Sequence, residues 1–279
     1  MKSTDSQKEK QENSEGRDKM EIEKESGWKL HPIGGETGQA FMGIRDQEKV
    51  FLKKNSSPFL ATLSLEGITP RLIWTKRTGN GDVLTAQEWC NGRTLKRPEM
   101  AGANVVNILN KLHQSDILKR LLNRISGIEV NEEDLMREYL KDLAIDLKNH
   151  PLLKKAYDFL RNSPPLIYTE DDVSVCHADI SNKNMLLSDE GELFLVDWDT
   201  AILMDHLFDI GQLLARYIEK EDWLDWARET GQLYSENEKG RIYWYVIINL
   251  LLDIKYAHRK NRYDRMNELI LKLDRWFQA

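Results

Sequence analysis

The sequence predicts an α+β protein of two lobes, a small N-terminal lobe built on an antiparallel β-sheet and a larger, mainly helical C-terminal lobe. Three observations carry that prediction. Short stretches of alternating apolar and polar residues, separated by turn-forming residues, fill the region from Trp28 to Trp89. From about Asn91 the apolar residues recur at helical spacing instead. A single strand-turn-strand signal, MLLSDEGELFLVDWD, is embedded in the helical part.

Residues 1–26 contain only Met1, Met20 and Ile22 as large apolar groups, too few to offset the entropy of ordering, so a disordered charged tail is expected there. Residues 27–90 form the expected β lobe. Its strand candidates are WKLHPI, QAFMGIR, KVFLKKN, LIWTKR and DVLTAQEW, with FLATLSLEG after Ser57-Pro58 as one short helix stopped by Gly67. Residues 91–279 form the helical lobe. Val105, Ile108, Leu109 and Leu112 share a helix face, NEEDLMREYLKDLAIDLKNH starts with an Asn cap and an acidic first turn, and Pro151 opens a helix that Pro164-Pro165 must end. HLFDIGQLLARYI, DWLDWARETGQLY and residues 240–275 read as further helices.

A chain of 279 residues can bury a sizeable core, and 41% hydrophobic with 31% charged residues is ordinary globular composition. A net charge of −6 without a Lys/Arg block argues against a dedicated nucleic-acid surface. Only Cys90 and Cys176 occur, both expected in the core, and no secretory signal is recognisable, so the cytoplasm is the expected compartment. The most apolar stretch, residues 242–254, is interrupted by Asn249 and Asp253 and reads as a buried helix, not a membrane span.

The polar island SVCHADISNKNMLL, residues 174–187, raises the question of chemistry. If the following loop centres on Glu190-Gly191, Asn184 faces Asp197 across the hairpin mouth, with Asp179 on the loop leading in. An amide oxygen and two carboxylates form an oxygen set suited to Mg²⁺. The spacing fits a phosphoryl-transfer arrangement in which Asp179 orients the acceptor hydroxyl while Asn184 and Asp197 hold the metal. On the island alone, side chains that merely cap turns around a hairpin explain the pattern equally well.

Other parts of the chain add to the first reading. Lys53 closes the strand KVFLK, the context of a lysine that pairs with nucleotide phosphates and a helical Glu, and Glu66 ends the next helix. Gly34, Gly35 and Gly38 in IGGETGQAFMG can bring backbone N–H groups near phosphates, although the order is not a strict G-x-G-x-x-G. Gln87 to Trp89, where sheet gives way to helix, make a natural adenine-docking connector. Each of these has an ordinary structural explanation: a surface lysine, a turn, a linker. Their order along the chain is what chance does not easily supply.

Taken together, IGGETGQAFMG, FLKKNSSPFL, ITPRLIW, AQEWCNGRTL, VNILNKLHQS, VCHADISNKN, LFLVDWDTAILMDHLFDIG and the YWY at 243–245 resemble the CcrZ (YtmP) family of Gram-positive bacteria. That family lies within the aminoglycoside phosphotransferase and choline/ethanolamine kinase superfamily, and the resemblance spans residues 28–279. It implies a protein-kinase-like fold, ATP and Mg²⁺ as cofactors, Lys53 on the ATP phosphates, Asp179 as base or hydroxyl orienter, and Asn184 and Asp197 on the metal. It also implies a cell-cycle role tied to the division protein FtsZ and to replication initiation through DnaA, with recruitment to the division site. Most relatives carry Gly where this chain has Ala178. The protein-kinase D-F-G appears as Asp197-Trp198-Asp199, so Asp199 and Trp198 are candidates for acceptor binding. His177 is expected to brace the loop, and Asp205 and Asp209 together to brace it and cap the next helix.

The expected function is therefore ATP-dependent phosphorylation of a small hydroxylated acceptor, since no A-P-E motif or activation segment follows Asp197. Within the family, ribose, deoxyribose or a nucleoside is the favoured acceptor and choline or ethanolamine the alternative. A quaternary ammonium calls for an aromatic cage, to which Tyr243, Trp244, Tyr245 and Trp198 could contribute, although at helical spacing such residues read as core. The competing class is a regulatory scaffold or pseudokinase that binds division or replication proteins with incidental turnover.

Overall fold

The computed structural model describes residues 23–24, 26–33, 39–79, 81–126, 129–163 and 169–277. Gly34, Gly35 and Gly38 lie outside the described residues, as does the expected tail up to residue 22. The chain divides into two compact units, Met1–Gly92 and Arg93–Ala279.

The first unit is a five-stranded antiparallel sheet of β1 (Lys29–Pro32), β2 (Ala40–Arg45), β3 (Glu48–Lys54), β4 (Leu72–Arg77) and β5 (Val83–Glu88), in the order β1-β2-β3-β5-β4. Because side chains alternate across a strand, Val50 and Leu52 of β3 and Leu84 and Ala86 of β5 share one face, where they bury against Trp28, Leu30 and Phe41. Burying a side chain such as Leu52 contributes roughly 1.5–3 kcal/mol. The same alternation puts Lys53 and its cross-strand partner Thr85 on the opposite face. Between β3 and β4 runs α1 (Phe59–Leu65). It ends at Gly67, whose φ of 62° lets the N–H of Ile68 reach the Leu63 carbonyl at 3.0 Å, a Schellman close. Part of the stretch read as tail makes defined contacts with the sheet. Glu23, inside the stretch read as tail, accepts the Leu30 N–H on its carboxylate at 2.7 Å and the Gly27 N–H on its carbonyl at 3.0 Å.

In the second unit β6 (Gly92–Thr94), β8 (Met185–Ser188) and β9 (Leu193–Leu195) form one small sheet, and β7 (Val173–Cys176) pairs antiparallel with β10 (Ile202–Asp205). The helices are α2 (Ala103–His113), α3 (Asp116–Ile125), α4 (Glu132–Leu140), α5 (Ile145–Asn149), α6 (Pro151–Asn162), α7 (Leu207–Tyr217), α8 (Trp223–Glu229), α9 (Glu236–Arg259) and α10 (Tyr263–Phe277). Two differ from expectation. The segment after the Asn131 cap is broken, with Asp142 at a φ of 52° separating α4 from α5. The helix α3, capped by the Ser115 hydroxyl on the Leu118 N–H, was not expected.

The core of this unit is the packing of α7 on α9. A Cβ at Gly211 would lie 2.5 Å from the Tyr245 Cβ, so only glycine permits the approach. Ile242 and Trp244 through Leu251 are buried, and among the described residues no helix is long and apolar enough to cross a membrane. Trp244 Nε1–H donates to the Leu160 carbonyl and the Tyr245 hydroxyl to Glu132, so these rings are core residues and not a cage. Cys176 is buried as expected, whereas Cys90 is only partly so, because it lies on the irregular segment after β5.

Candidate active site

The island lies between β7 and β8 as an irregular loop, and irregular backbone that is buried must find hydrogen-bond partners among side chains. Asp209, in the first turn of α7, provides them. Its Oδ2 accepts the His177 N–H at 2.9 Å and its Oδ1 the Ala178 N–H at 3.0 Å, while Oδ2 is also 3.0 Å from His113 Nε2. One turn on, Gln212 accepts the Ile180 N–H and donates to the Ala178 carbonyl at 3.2 Å. Ala178 has a φ of 61°, the left-handed region that favours glycine. Asp205 caps α7 through the Leu207 N–H at 3.1 Å.

His177 is fully buried. Its Nε2 is 3.0 Å from the Val196 carbonyl, which can only accept, and its Nδ1 takes the Asp179 N–H at 3.3 Å, so the ring is fixed as the neutral Nε2–H tautomer. Burial, partly opposed by Asp209 and other nearby acids, lowers its pKa below the ordinary 6.5. A buried neutral histidine with both nitrogens engaged ties the loop to the strand leaving the hairpin.

The carboxylate of Asp179 is held at both oxygens. The Asn184 side-chain amide donates to Oδ2 at 3.0 Å and to the Asp179 carbonyl at 2.9 Å. Arg216 donates to Oδ1 at 2.9 Å. Asp179 still keeps 44% of its side chain exposed. The spacing of five residues between Asp179 and Asn184 thus closes a ring across the loop.

The hairpin register differs from the expected one. Met185 pairs with Leu195, and the turn is a three-residue loop in which Gly191 takes a φ of 90° and donates to the Ser188 carbonyl at 3.0 Å. Asn184 therefore lies opposite Val196, whose N–H donates to the Asn184 carbonyl at 2.9 Å, and Asp197 follows one residue past the pair. Asp197 leaves the ladder with a φ of 67°, starts the 3₁₀ turn Trp198–Thr200, and is exposed. The extra loop residue shifts the pairing by one, so Asp197 follows the last pair in a left-handed turn.

Trp198, a candidate acceptor contact, packs inward. It is buried, its Nε1–H donates to the Leu195 carbonyl at 2.9 Å, and its ring packs edge-on against His177 with centroids 4.7 Å apart. Asp199, beside it, is exposed.

In the first unit Lys53 lies near the end of β3 opposite Thr85, whose hydroxyl donates to the Lys53 carbonyl at 3.1 Å. Its neighbour Lys54 forms an ion pair with Asp82 at 2.7 Å. Glu66 is the C-cap of α1. Gln87 is not a free connector residue. It sits within β5, paired to Phe51 and Leu72, and its side-chain amide donates to Thr69 and Pro70. Trp89 is the first residue beyond that ladder.

Residues 54–245, well over half of the chain, match the phosphotransferase enzyme family, APH. The chain belongs to that family. The match to these phosphotransferases opens directly after Lys53 and takes in the whole loop and hairpin. Among solved structures, the choline kinase LicA from Streptococcus pneumoniae superposes with a TM-score of 0.66 at 14% identity, covering 94% of this chain and 99% of that one. A choline/ethanolamine kinase family protein from Mesorhizobium loti gives 0.62 at 16% identity over 90% and 88%. A thermostable mutant of the aminoglycoside phosphotransferase APH(4)-Ia gives 0.64 at 15% identity over 91% and 96%. LicA is also known in complex with AMP, and APH(4)-Ia with ADP and hygromycin B. The α+β architecture, antiparallel sheet followed by helical part, is thus the protein-kinase-like fold of this phosphotransferase family.

Sequence reasoning missed Gln212, Arg216 and Asp253 as parts of the site. A signal was present. Polar residues recur four apart on otherwise apolar helices, Gln212 and Arg216 on α7, Asn249 and Asp253 on α9.

Proposed function

We propose that this phosphotransferase moves the γ-phosphoryl group of ATP to a hydroxyl of a small acceptor. The observation that carries the proposal is the Asp179 carboxylate, exposed at the loop yet fixed by Asn184 and Arg216 at its two oxygens. A carboxylate so held can accept the proton-bearing side of an acceptor hydroxyl and align its oxygen for in-line attack. Asn184 turns its N–H₂ toward Asp179, which leaves its carbonyl oxygen as the acceptor end. With the Asp197 carboxylate this makes an all-oxygen donor set, which fits Mg²⁺, and the two residues are assigned to hold it. When bound, the ion supplies charge neutralisation at the phosphates. Lys53 is assigned to the ATP phosphates, with Gly34, Gly35, Gly38 and Trp89 as the remaining nucleotide contacts; Asp199 is assigned to the acceptor.

A neutral polyol, ribose, deoxyribose or a nucleoside, is the preferred acceptor. Support comes from the aromatic residues that could have caged a choline, which are spent in packing at Trp198, Trp244 and Tyr245. The cytoplasmic cell-cycle role, with FtsZ and DnaA as its links, rests on the subfamily resemblance.

The test is ATP turnover with Mg²⁺ over ribose, deoxyribose, nucleosides, choline and ethanolamine. Asp179→Asn and Asp197→Asn are each expected to lower turnover about 10³-fold. Lack of stimulation by every acceptor, or variants that match the parent, would sink the assignment. Replacing the chromosomal copy with Asp179→Asn separates catalysis from scaffolding: normal division and replication timing in that strain would favour the scaffold.

A further inference from the structure

Arg216 is named by no phosphoryl-transfer pattern, yet it grips the loop at two points. Its Nη1 donates to Asp179 Oδ1 and to the Ile180 carbonyl, both at 2.9 Å, so one nitrogen ties side chain and backbone together. The other edge of the guanidinium is closed by Asp253 of α9, with Nε to Oδ2 at 2.9 Å and Nη2 to Oδ1 at 2.8 Å. This two-point pairing matches the planar geometry of both groups and removes the freedom a single contact would leave.

The pair is part of a ladder. Gln212 meets Asn249 at 3.2 Å and Arg216 meets Asp253, each pair 37 residues apart. Phe208 packs edge-on against Tyr245 one rung earlier, at 5.9 Å between centroids. Rungs four residues apart on both helices, at a constant offset, mean that α7 and α9 run in the same direction with facing stripes. Gly211 permits the close approach that the stripes need. The helical packing therefore fixes where the guanidinium sits. Burial opposes the Arg216 charge, but Asp253 and then Asp179 outweigh that effect and raise its pKa further above the ordinary value. The arginine is only 17% exposed, recessed behind the more open Asp179.

From this geometry we infer that Arg216 is a positioning residue for phosphoryl transfer, fixing the rotamer of Asp179, and that Asp253 acts through it. The inference rests on Asp179 being the carboxylate that orients the acceptor. Unlike Asp179, neither residue needs to touch a reacting atom. Their effect is on alignment.

The test is steady-state kinetics on the full chain, with ATP and whichever acceptor of the panel above best stimulates the parent. Rates are normalised to the fraction of protein that binds ATP by calorimetry, which removes losses through misfolding. Arg216→Met is expected to lower kcat about 100-fold, with KM for ATP and acceptor within about twofold. Asp253→Asn, similar in shape, is expected to lower kcat about tenfold by the same loss of alignment. The double variant should be no slower than Arg216→Met alone, because Asp253 acts only through the arginine. Arg216→Lys, which keeps the charge without the fork, should fall between parent and Arg216→Met. An unchanged or raised kcat in Arg216→Met, the latter marking a blocking ion pair, overturns the inference, as do multiplicative losses in the double variant. A parent that binds ATP but phosphorylates no acceptor overturns the kinase reading itself, a result distinct from parent activity that the substitutions leave intact.

Discussion

The two units place their candidate site residues by opposite means. In the first, Lys53 is positioned by a regular sheet whose backbone satisfies itself and whose register follows from one apolar face. In the second, Asp179 sits on backbone that no ladder supports, and Asp209, Gln212, Asn184 and Arg216 hold it residue by residue. Apolar burial tolerates variation in shape, whereas a buried amide without its acceptor costs its full desolvation. The loop should therefore be the more brittle region toward polar substitutions and the sheet toward apolar truncations.

The largest expected effect tests that contrast. Asp209→Ala leaves the His177 and Ala178 amides and His113 without their acceptor, and should cost about 3–5 kcal/mol in urea unfolding. Asp209→Asn, which keeps one carbonyl oxygen, should cost less. If the alanine variant loses under about 1 kcal/mol, the loop is not braced as described.

A smaller effect separates adjacent lysines of β3. Lys53→Met should lower ATP turnover about 100-fold. Lys54→Met breaks the ion pair to Asp82 and should leave turnover within about threefold, since Asp82 already engages that ammonium. The reverse outcome would transfer the phosphate role to Lys54 and end the view that strand alternation selects Lys53.

The smallest effect concerns Ala178. Glycine at its φ of 61° relieves left-handed strain, partly offset by the greater freedom of glycine in the unfolded chain. Ala178→Gly should stabilise by up to about 1 kcal/mol, raising Tm by about 2–4 °C in a thermal scan. A lower Tm would show that the loop bears no strain there.

Much of this was legible in the sequence because it is local. Strand alternation, the Gly67 stop, the Asn131 and Pro151 starts and the Asp179-to-Asn184 spacing each involve residues that meet within one element or one loop. The misreadings were also local in cause. The sequence suggests a two-residue turn where Gly191 makes a three-residue one, and a continuous helix where the left-handed Asp142 separates α4 from α5.

What the sequence by itself determined is the order of the two units, the face of the sheet that carries Lys53, and which polar residues crowd the loop. What only the tertiary structure decided is which of those residues hold which. Arg216 lies 37 positions from both Asp179 and Asp253, and Asn249 lies as far from Gln212. Such pairs exist only once Gly211 lets α7 settle on α9, because the contacts depend on how two helices dock and not on any periodicity within one of them.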